Sequence, residues 1–139
     1  MARPDDWNRK IIEEFRANGG EVRAFRGQPL LVLTHVGARS GTTRTNPLAY
    51  FNDDDRYVIV ASKAGAPTNP DWYHNLVVNP SATVEVGTET FDVVAEVAGP
   101  GERERLWTMI TEANSAFADY ERTTERTIPV MVLRRVEAS

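Results

Sequence analysis

Cysteine is absent from this chain of 139 residues. Disulfide bonds, thiolate metal sites and a cysteine nucleophile are therefore excluded. Histidine is scarce as well, because His35 and His74 are the only two imidazoles. A metal site of several histidines would need more imidazoles than this. We therefore expect no metal in the functional site.

Long apolar runs and an excess of positive charge are missing too. No apolar run approaches the roughly 20 residues of a membrane-spanning helix, and residues 1–6 lack the apolar core of a signal peptide. The 16 basic and 20 acidic residues give a net charge of −4, which argues against general nucleic-acid binding. The composition is that of an ordinary soluble protein, and the length suits one domain. We therefore expect a single cytoplasmic domain over residues 1–139 that obtains its chemistry from a bound molecule.

Acidic residues are missing from one long window, residues 22–52. Random placement of the 20 acidic residues would put about four of them there. The same window contains the arginines Arg23, Arg26, Arg39 and Arg44. Two interpretations are open at this point: a strand pair with polar, uncharged faces, or a surface that binds an anion.

Hydrophobic periodicity and turn residues predict the order of the secondary structure. The predicted strands are residues 30–36, 44–51, 57–61, 82–86, 89–97 and 129–133, and the predicted helices are 5–17, 70–78 and 102–112. Residues 113–127 are polar and receive no assignment, whereas Asn69 is expected to cap the helix that begins at Pro70. About six strands joined mainly by short turns predict a mainly β (α+β) fold, an antiparallel barrel surrounded by helices. A doubly wound parallel sheet fits less well.

The loop at residues 37–44 has the composition of an anion site. Gly37 and Gly41 allow the backbone to approach a ligand closely and to present its N–H groups. Ser40 adds a hydroxyl donor, and Arg39 and Arg44 add charged donors that suit phosphate or carboxylate. The Gly-Lys-Ser/Thr ending of a nucleotide-binding P-loop is missing. A plain hairpin is the alternative interpretation.

A second polar segment follows the third predicted strand. Ser62 and Lys63 lie just before a predicted helix N-terminus, which favours an anion or a polar ring nearby. Trp72 and Tyr73 fall in the first turn of that helix, where aromatic rings either join the core or flank a flat heterocycle. The acidic run at residues 53–55 is typical of a solvated turn rather than of a metal site.

These segments together resemble the deazaflavin-dependent nitroreductase family, whose members use coenzyme F420. The resemblance extends over residues 30–136. It is carried by four stretches in the same order as in the family, namely residues 33–41, residues 44–48, residues 61–65 with 69–76 and 79–80, and residues 126–130.

The resemblance implies a split antiparallel β-barrel like that of FMN-binding proteins related to pyridoxamine-phosphate oxidases. Residues 1–29 would then be an N-terminal helix and lead-in, and residues 30–136 the barrel core. It also implies which residues hold the cofactor. The phosphodiester and glutamate tail would be held around Gly37, Arg39, Ser40, Gly41, Arg44 and Asn46, and the deazaflavin ring would lie beside Ser62, Lys63 and Trp72.

The same resemblance implies hydride transfer from the reduced cofactor to a quinone-like or other activated acceptor. Tyr120 and Ser62 could donate a hydrogen bond or a proton to that acceptor as its negative charge develops. Family members carry further tyrosines on the substrate side, where this chain has Asn114 and Phe117, and Ala38 replaces a basic residue of the family loop. The missing tyrosines favour quinone reduction over nitroimidazole reduction, whereas Ala38 predicts weaker or differently placed binding of the tail.

Two other functions remain open, an FMN-dependent reductase of the same fold and a deazaflavin carrier without enzymatic activity.

Residues 1–26 contain six basic and five acidic residues, so at most weak peripheral membrane contact is expected. The stripe formed by Trp7, Ile11 and Phe15 is expected to pack on the barrel or on a partner subunit, which leaves a homodimer open.

Overall fold

The computed structural model describes residues 4–25, 28–62 and 68–136, apart from the side chains of residues 4–6 and 24. Its elements are, in order, α1 (Pro4–Ala17), a 3-10 turn (Arg23–Phe25), β1 (Leu30–Val36), β2 (Thr43–Ala49), β3 (Phe51–Asp53), β4 (Arg56–Val60), α2 (Asp71–Val78), β5 (Ser81–Val86), β6 (Glu89–Val97), α3 (Pro100–Ala113), α4 (Ala116–Thr123) and β7 (Val130–Arg135). None of the helices over these described residues is long and apolar enough to cross a membrane.

The strands form one sheet of seven strands in the order β2-β1-β5-β6-β7-β4-β3, with every pair antiparallel. Its two edge strands, β2 and β3, are consecutive in the chain and are separated only by Tyr50. β2 pairs with β1, and β3 pairs with β4. The bend at Tyr50 therefore joins the two edges and curls the sheet into a barrel, in which β2 also contacts β4.

The antiparallel barrel predicted from the sequence is confirmed, with one correction to its strands. Residues 44–51 were expected to form one strand, but this run is divided between β2 and β3, so there are seven strands rather than about six. The physical reason is a change of partner at Tyr50: its amide still donates to Pro29 O (3.2 Å), beside β1, whereas Phe51 already pairs with Val58 of β4. Hydrophobic periodicity depends on which residues are apolar, and it carries no information about which strand each residue pairs with.

The inner face of the curled sheet holds the main core. Alternate residues of the strands point inwards, as the period of a strand requires. The core consists of Leu31, Leu33, Ile59, Ala61, Ala82, Val84, Phe91, Val93, Ala95, Met131 and Leu133, together with Trp72 and Leu76 from α2. Helix α2 thus packs against the barrel interior, and its position is fixed by apolar burial.

Helices cover the outer face of the sheet at two places. On α1, Ile11, Ile12 and Phe15 are buried against the outer face of β1. Helices α3 and α4 cover β4 and β7 and bury Val58. This double coverage explains why the second half of β4, residues 58–60, is entirely apolar. The expected packing of α1 on the barrel is confirmed, although Trp7 is 54% exposed.

Three local expectations are corrected. Asn69 does not cap α2: the N-cap residue is Pro70, and no side-chain bond caps the helix. Residues 113–127, left unassigned, contain α4. The Asp53 side chain is only 11% exposed rather than solvated, because Arg56 and Arg105 both donate to it. All three features depend on tertiary contacts that the local sequence does not specify: whether an asparagine caps a helix, whether a short polar segment becomes helical, and whether a turn residue stays exposed.

Candidate functional site

The loop between β1 and β2 is a tight turn that depends on its two glycines. The Gly37 amide donates to Thr42 O (2.9 Å), and the Gly41 amide donates to Gly37 O (3.0 Å). A Cβ added at Gly37 would lie 2.6 Å from Ser40 Oγ, and Gly41 has a φ of +69°. A larger residue would therefore be strained at Gly41, whereas at Gly37 it would displace the Ser40 hydroxyl. The loop holds its shape without a ligand.

The charges on this loop are positive and uncompensated. Arg39 and Arg44 are both exposed, and in the described part of the chain neither guanidinium has a hydrogen bond or ion pair with a protein group. Ser40 Oγ accepts a bond from the Thr42 amide (3.1 Å), so its hydroxyl hydrogen remains available to an acceptor. Two free guanidinium groups and a hydroxyl suit an extended anion with several charged groups.

Below the loop, a chain of hydrogen bonds connects it to α2. The Ala38 amide donates to Asn75 Oδ1 (2.8 Å), and Asn75 Nδ2 faces His35 Nδ1 (3.1 Å). His35 Nε2 in turn faces Asn46 Oδ1 (2.7 Å). His35 is 1% exposed and Asn75 is 7% exposed, so the chain is shielded from water. It fixes the anion-seeking loop relative to α2.

This arrangement requires a neutral His35. Burial lowers the pKa of His35, although its bond with Asn46 acts in the opposite direction. The Nε2–H tautomer donates to Asn46 and leaves Nδ1 to accept from Asn75, which satisfies every member. A proton on Nδ1 would face the Asn75 Nδ2 donor and force that amide to turn, which would break its bond with Ala38. Asn46, expected among the cofactor ligands, therefore already uses its oxygen for His35.

The second predicted segment is described only in part. Ser62 follows β4 and is 7% exposed, and no hydrogen bond from the described residues reaches its hydroxyl. Trp72 is also 7% exposed and packs in the barrel core beside Leu76. Its ring is used mainly for packing, so contact with a cofactor could involve only its remaining edge. Lys63 lies outside the described residues.

One arginine that sequence analysis did not single out lies at this segment. Arg126 donates to the backbone oxygens of Ala61 and Ser62 and to Asn69 Oδ1. Residues 126–130 were noted only as one stretch of the family resemblance. The spacing along the chain gave no sign that Arg126 would reach the end of β4, because the contact depends on how β7 pairs with β4.

Tyr120 lies on α4 in the cluster that covers β4 and β7. Its ring packs edge-on against Phe117, with ring centroids 5.6 Å apart, and Phe117 packs in the same way against Phe51. The cluster includes Val60, two residues before Ser62. No hydrogen bond from the described residues reaches the Tyr120 hydroxyl. Tyr120 thus belongs to the cluster that also contains Val60, and among the described residues neither its hydroxyl nor that of Ser62 has a hydrogen-bond partner.

Phe117 and Asn114, which stand where family members carry substrate-side tyrosines, have structural roles in this chain. Phe117 is 8% exposed and belongs to the outer cluster. Asn114 donates from Nδ2 to Gln28 Oε1 (3.3 Å) and accepts from the Ala116 amide at Oδ1 (3.1 Å). Both residues are therefore committed to packing or to the start of α4, which leaves Tyr120 as the hydroxyl donor on that helix.

Two concavities lie outside these segments. A groove of about 800 Å³ runs between α1 and the 3-10 turn, and a cavity of about 390 Å³ lies between Tyr73, Arg103 and Thr127. The larger groove is lined by Glu14 and Glu21 against one arginine, Arg23, so the charge of its described lining disfavours an anionic ligand. We therefore place the candidate site at the loop with free arginines, despite the larger volume elsewhere. Over the described residues, no group of three or more histidine, aspartate or glutamate residues could hold a metal.

Comparison with known proteins gives consistent findings. A model of the F420H(2)-dependent quinone reductase family matches residues 7–135. An F420H(2)-dependent quinone reductase of Mycobacterium tuberculosis (strain ATCC 25618 / H37Rv) is 40% identical over 126 residues, which cover 87% of this chain and 85% of that protein. A solved structure described as a domain-swapped dimer has a TM-score of 0.72 and 33% identity, and the match covers 95% of this chain and 100% of that one. An F420-H2 dependent reductase has a TM-score of 0.70 and 36% identity, covering 76% of this chain and 94% of its own.

Proposed function

This chain belongs to the F420H(2)-dependent quinone reductase family, and we propose that it transfers a hydride from reduced coenzyme F420 to a quinone. The observation that carries the proposal is a pair of exposed arginines without a partner among the described residues, Arg39 on a loop whose shape is set by its own hydrogen bonds and Arg44 at the start of β2. The family supplies the cofactor, and the loop supplies donors of the right chemistry for its anionic tail. The quinone acceptor rests on the names of the relatives and on the reduced tyrosine set of α4.

The residues present fit a deazaflavin cofactor with a long acidic tail. Arg39 and Arg44 would bind the phosphodiester and the glutamate carboxylates, and Ser40 would donate one further hydrogen bond. The Gly37 and Gly41 turn would allow that tail to lie close to the backbone. Ser62, with the exposed edge of Trp72, would lie beside the ring. When bound in its reduced form, the deazaflavin supplies a hydride, because carbon replaces the reactive nitrogen of a flavin.

The protein then has three tasks around that transfer. The barrel and α2 hold the ring segment and the tail loop at a fixed separation, since the bonds of Asn75 and His35 connect them. The outer cluster around Phe117 keeps water from the acceptor side. Tyr120 and Ser62 donate hydrogen bonds to the acceptor oxygen as it becomes negative. Such bonds strengthen in the transition state and therefore raise the rate.

An FMN-dependent reductase fits the same donors less well. FMN ends in one phosphate, which calls for a compact group of donors. Arg39 instead lies on the loop and Arg44 at the start of β2, with Gly41 between them in sequence, as a longer anion would require. A carrier without enzymatic activity would use the same loop but would not need the free Tyr120 hydroxyl.

A homodimer is a further part of the proposal. The structure described as a domain-swapped dimer is 33% identical to this chain. Trp7, 54% exposed on α1, extends the apolar stripe of that helix beyond its contact with β1. Molecular mass measured by light scattering would test this assembly, and replacement of Trp7 by serine should weaken it.

The decisive experiment measures cofactor binding and then turnover. Quenching of F420 fluorescence gives its affinity, and FMN added as a competitor tests the alternative cofactor. Stopped-flow oxidation of bound reduced F420 by a water-soluble quinone then gives the rate of hydride transfer. If the protein binds F420 but its reduced form is not oxidised by the quinone, the carrier function is supported instead. If FMN binds more tightly than F420, the FMN-dependent reductase is supported.

Tyr120→Phe tests the acceptor side in the same assay. The change keeps the ring that packs on Phe117 and removes only the hydroxyl, so F420 affinity should be unchanged. The rate should fall by about 10²-fold, the usual cost of losing one donor to developing charge. An unaltered rate would leave Tyr120 as a packing residue.

A further inference from the structure

A single guanidinium group holds two segments that the chain separates. Arg126 Nη2 donates to Ser62 O (2.8 Å) and to Ala61 O (3.1 Å), and Nη1 donates to Asn69 Oδ1 (2.6 Å). Ala61 and Ser62 directly follow β4, whereas Asn69 directly precedes the N-cap residue of α2. The two flanks of residues 63–67 are therefore fixed to one rigid group.

The position of these bonds in the sheet explains why they matter. The β4–β7 ladder ends at the pair Val60 and Val130. Beyond it the Ala61 amide still donates to Pro129 O (3.0 Å), but no backbone amide of the described residues donates to the carbonyl of Ala61 or Ser62. Arg126 supplies their donors at this point. Charge-assisted bonds from a planar group fix both distance and direction, which a flexible ammonium does not.

The acceptors lie where the proposed hydride transfer takes place. Ser62 is proposed to lie beside the ring, and α2 carries Trp72 and the Asn75 bond to the tail loop. A shift of Ser62 relative to α2 would move the proposed ring contact relative to the tail contact. Displacement by about 1 Å can cost roughly 10²-fold in rate where reacting groups must be aligned.

We propose that Arg126 is a positioning residue of the reductase site, which sets where Ser62 lies relative to the start of α2. This inference rests on the proposed function for its kinetic consequence, and on geometry alone for its structural one. Arg126 acts through Ser62 and Asn69 and not by binding the cofactor. Two separate measurements follow from this division.

The first measurement uses the protein without cofactor. Amide hydrogen exchange is followed at Ala61, which donates to Pro129 O, and at Tyr73, which donates to Pro70 O (3.1 Å). Arg126→Gln should speed exchange at both amides. Arg122→Gln is the matched control, because Arg122 is exposed and pairs only locally with Asp119. Unchanged exchange at Ala61 and Tyr73 in Arg126→Gln would overturn the proposal.

The second measurement separates positioning from direct charge contact. With F420 at saturation, hydride transfer to a quinone should slow by roughly 10²-fold in Arg126→Gln. The salt dependence of F420 binding should stay as in the wild type, since no cofactor charge is lost. Arg126→Lys should behave like the glutamine variant, because one ammonium cannot span three acceptors. Full rescue by lysine, or a weaker salt dependence in Arg126→Gln, would overturn the proposal in favour of a direct contact.

A milder variant covers the case in which Arg126→Gln fails to fold. Asn69→Leu removes one acceptor and leaves the guanidinium in place, so exchange at Tyr73 should rise with a smaller loss of rate. An unchanged rate together with unchanged exchange would overturn the proposal. If the wild type itself fails to bind F420, the proposed function falls, while the exchange comparison still decides whether Arg126 holds Ser62 and α2 together.

Discussion

The two ends of the bent segment formed by β2 and β3 carry arginines in opposite surroundings. At its start, Arg39 and Arg44 are exposed and, within the described residues, have no acidic partner. At its end, Asp53 is almost buried and accepts from Arg56 and Arg105. The Arg105 bonds to the two carboxylate oxygens are 3.1 and 2.9 Å long. The start of this segment thus lies among exposed arginines without a described partner, whereas its end supplies the carboxylate that pairs with Arg56 of β4 and Arg105 of α3.

The difference shows which arginines belong to the fold and which are available to a ligand. The pKa of Asp53 is lowered to about 2, because Arg105 and Arg56 donate hydrogen bonds to the ionised carboxylate. That lowering means that the charges at this end stabilise the folded state. The loop arginines make no such contribution. In a chain with more acidic than basic residues, leaving them without a partner favours an external anion.

Asp53→Asn should lower the free energy of unfolding, and this is the largest effect expected at the end of the segment where Asp53 pairs with two arginines. The amide keeps the shape of the side chain but loses the charge that both arginines face. Hydrogen bonds to charged groups contribute about 1.5 to 3 kcal/mol, so the free energy of unfolding should fall by about 2 to 3 kcal/mol. The melting temperature should fall by roughly 6 to 10 °C.

Affinity for F420 should not change in Asp53→Asn, which separates the two ends of the segment. Thermal unfolding and fluorescence quenching on the same sample would check both values. A loss of affinity as large as the loss of stability would show that the two ends are coupled and that the comparison fails.

Lowering the pH should gradually remove the stabilisation that the ionised Asp53 carboxylate provides. A carboxylate whose pKa is lower in the folded state stabilises that state at pH values above its unfolded pKa of about 3.8. The stability is lost as the pH falls from about 4 through about 2, where Asp53 takes up a proton in the folded protein as well. The stability difference between wild type and Asp53→Asn should therefore be constant above pH 5 and shrink below pH 4. Urea unfolding at several pH values would measure it, and a constant difference down to pH 2 would contradict the pairing.

Much of the fold could be predicted from local patterns. The bounds of β1 are those that the apolar run 30–36 indicated, and the hairpin of β5 and β6 turns at Gly87 as expected. Both features are set by residues adjacent in sequence. The bend at Tyr50 and the Arg56–Asp53–Arg105 cluster were missed, because each depends on a pairing partner or on a helix far along the chain.

The sequence predicts the chemical character of the candidate site but not the long-range hydrogen bonds that hold its residues in place. The anion-seeking character of the loop follows from its glycines and arginines, which are local. The links through Asn75 and Arg126 are not local, since they span 37 and 64 residues to Ala38 and Ser62. No periodicity or spacing encodes such contacts. Trp72 illustrates the same limit, because the sequence left open whether its ring joins the core, and it does.

Arg44→Ala should have a smaller effect, and on binding alone. Removing one charge-assisted contact should weaken F420 affinity about 10-fold, which corresponds to about 1.4 kcal/mol. Stability should be unchanged, because Arg44 has no described ion pair to lose. Arg39→Ala is expected to act in the same direction. The affinity of the wild type should also fall as salt rises, since exposed charges are screened over about 8 to 10 Å.

Arg134→Ala is the matched control for the loop variants. Arg134 is exposed to a similar degree, but it lies on β7 and pairs with Glu96. Its removal changes the net charge by the same amount, so any general attraction of the anionic cofactor is reproduced in the control. Equal losses of F420 affinity in Arg44→Ala and Arg134→Ala would show that net charge, rather than this loop, determines binding.

Arg122→Ala should have the smallest effect of all and shows what pairing alone contributes. Arg122 donates to Asp119 at 2.9 Å, which is as short as the Arg105 bond to Asp53 Oδ2. The side chains of Arg122 and Asp119 are 76% and 68% exposed, however, whereas that of Asp53 is 11% exposed. Water and salt screen an exposed pair, so its loss should cost less than about 0.5 kcal/mol. Urea unfolding beside Asp53→Asn would measure both. If the two variants lost equal stability, bond length rather than burial would set the value of an arginine pair, and the contrast between the two ends of β2 and β3 would lose its physical basis.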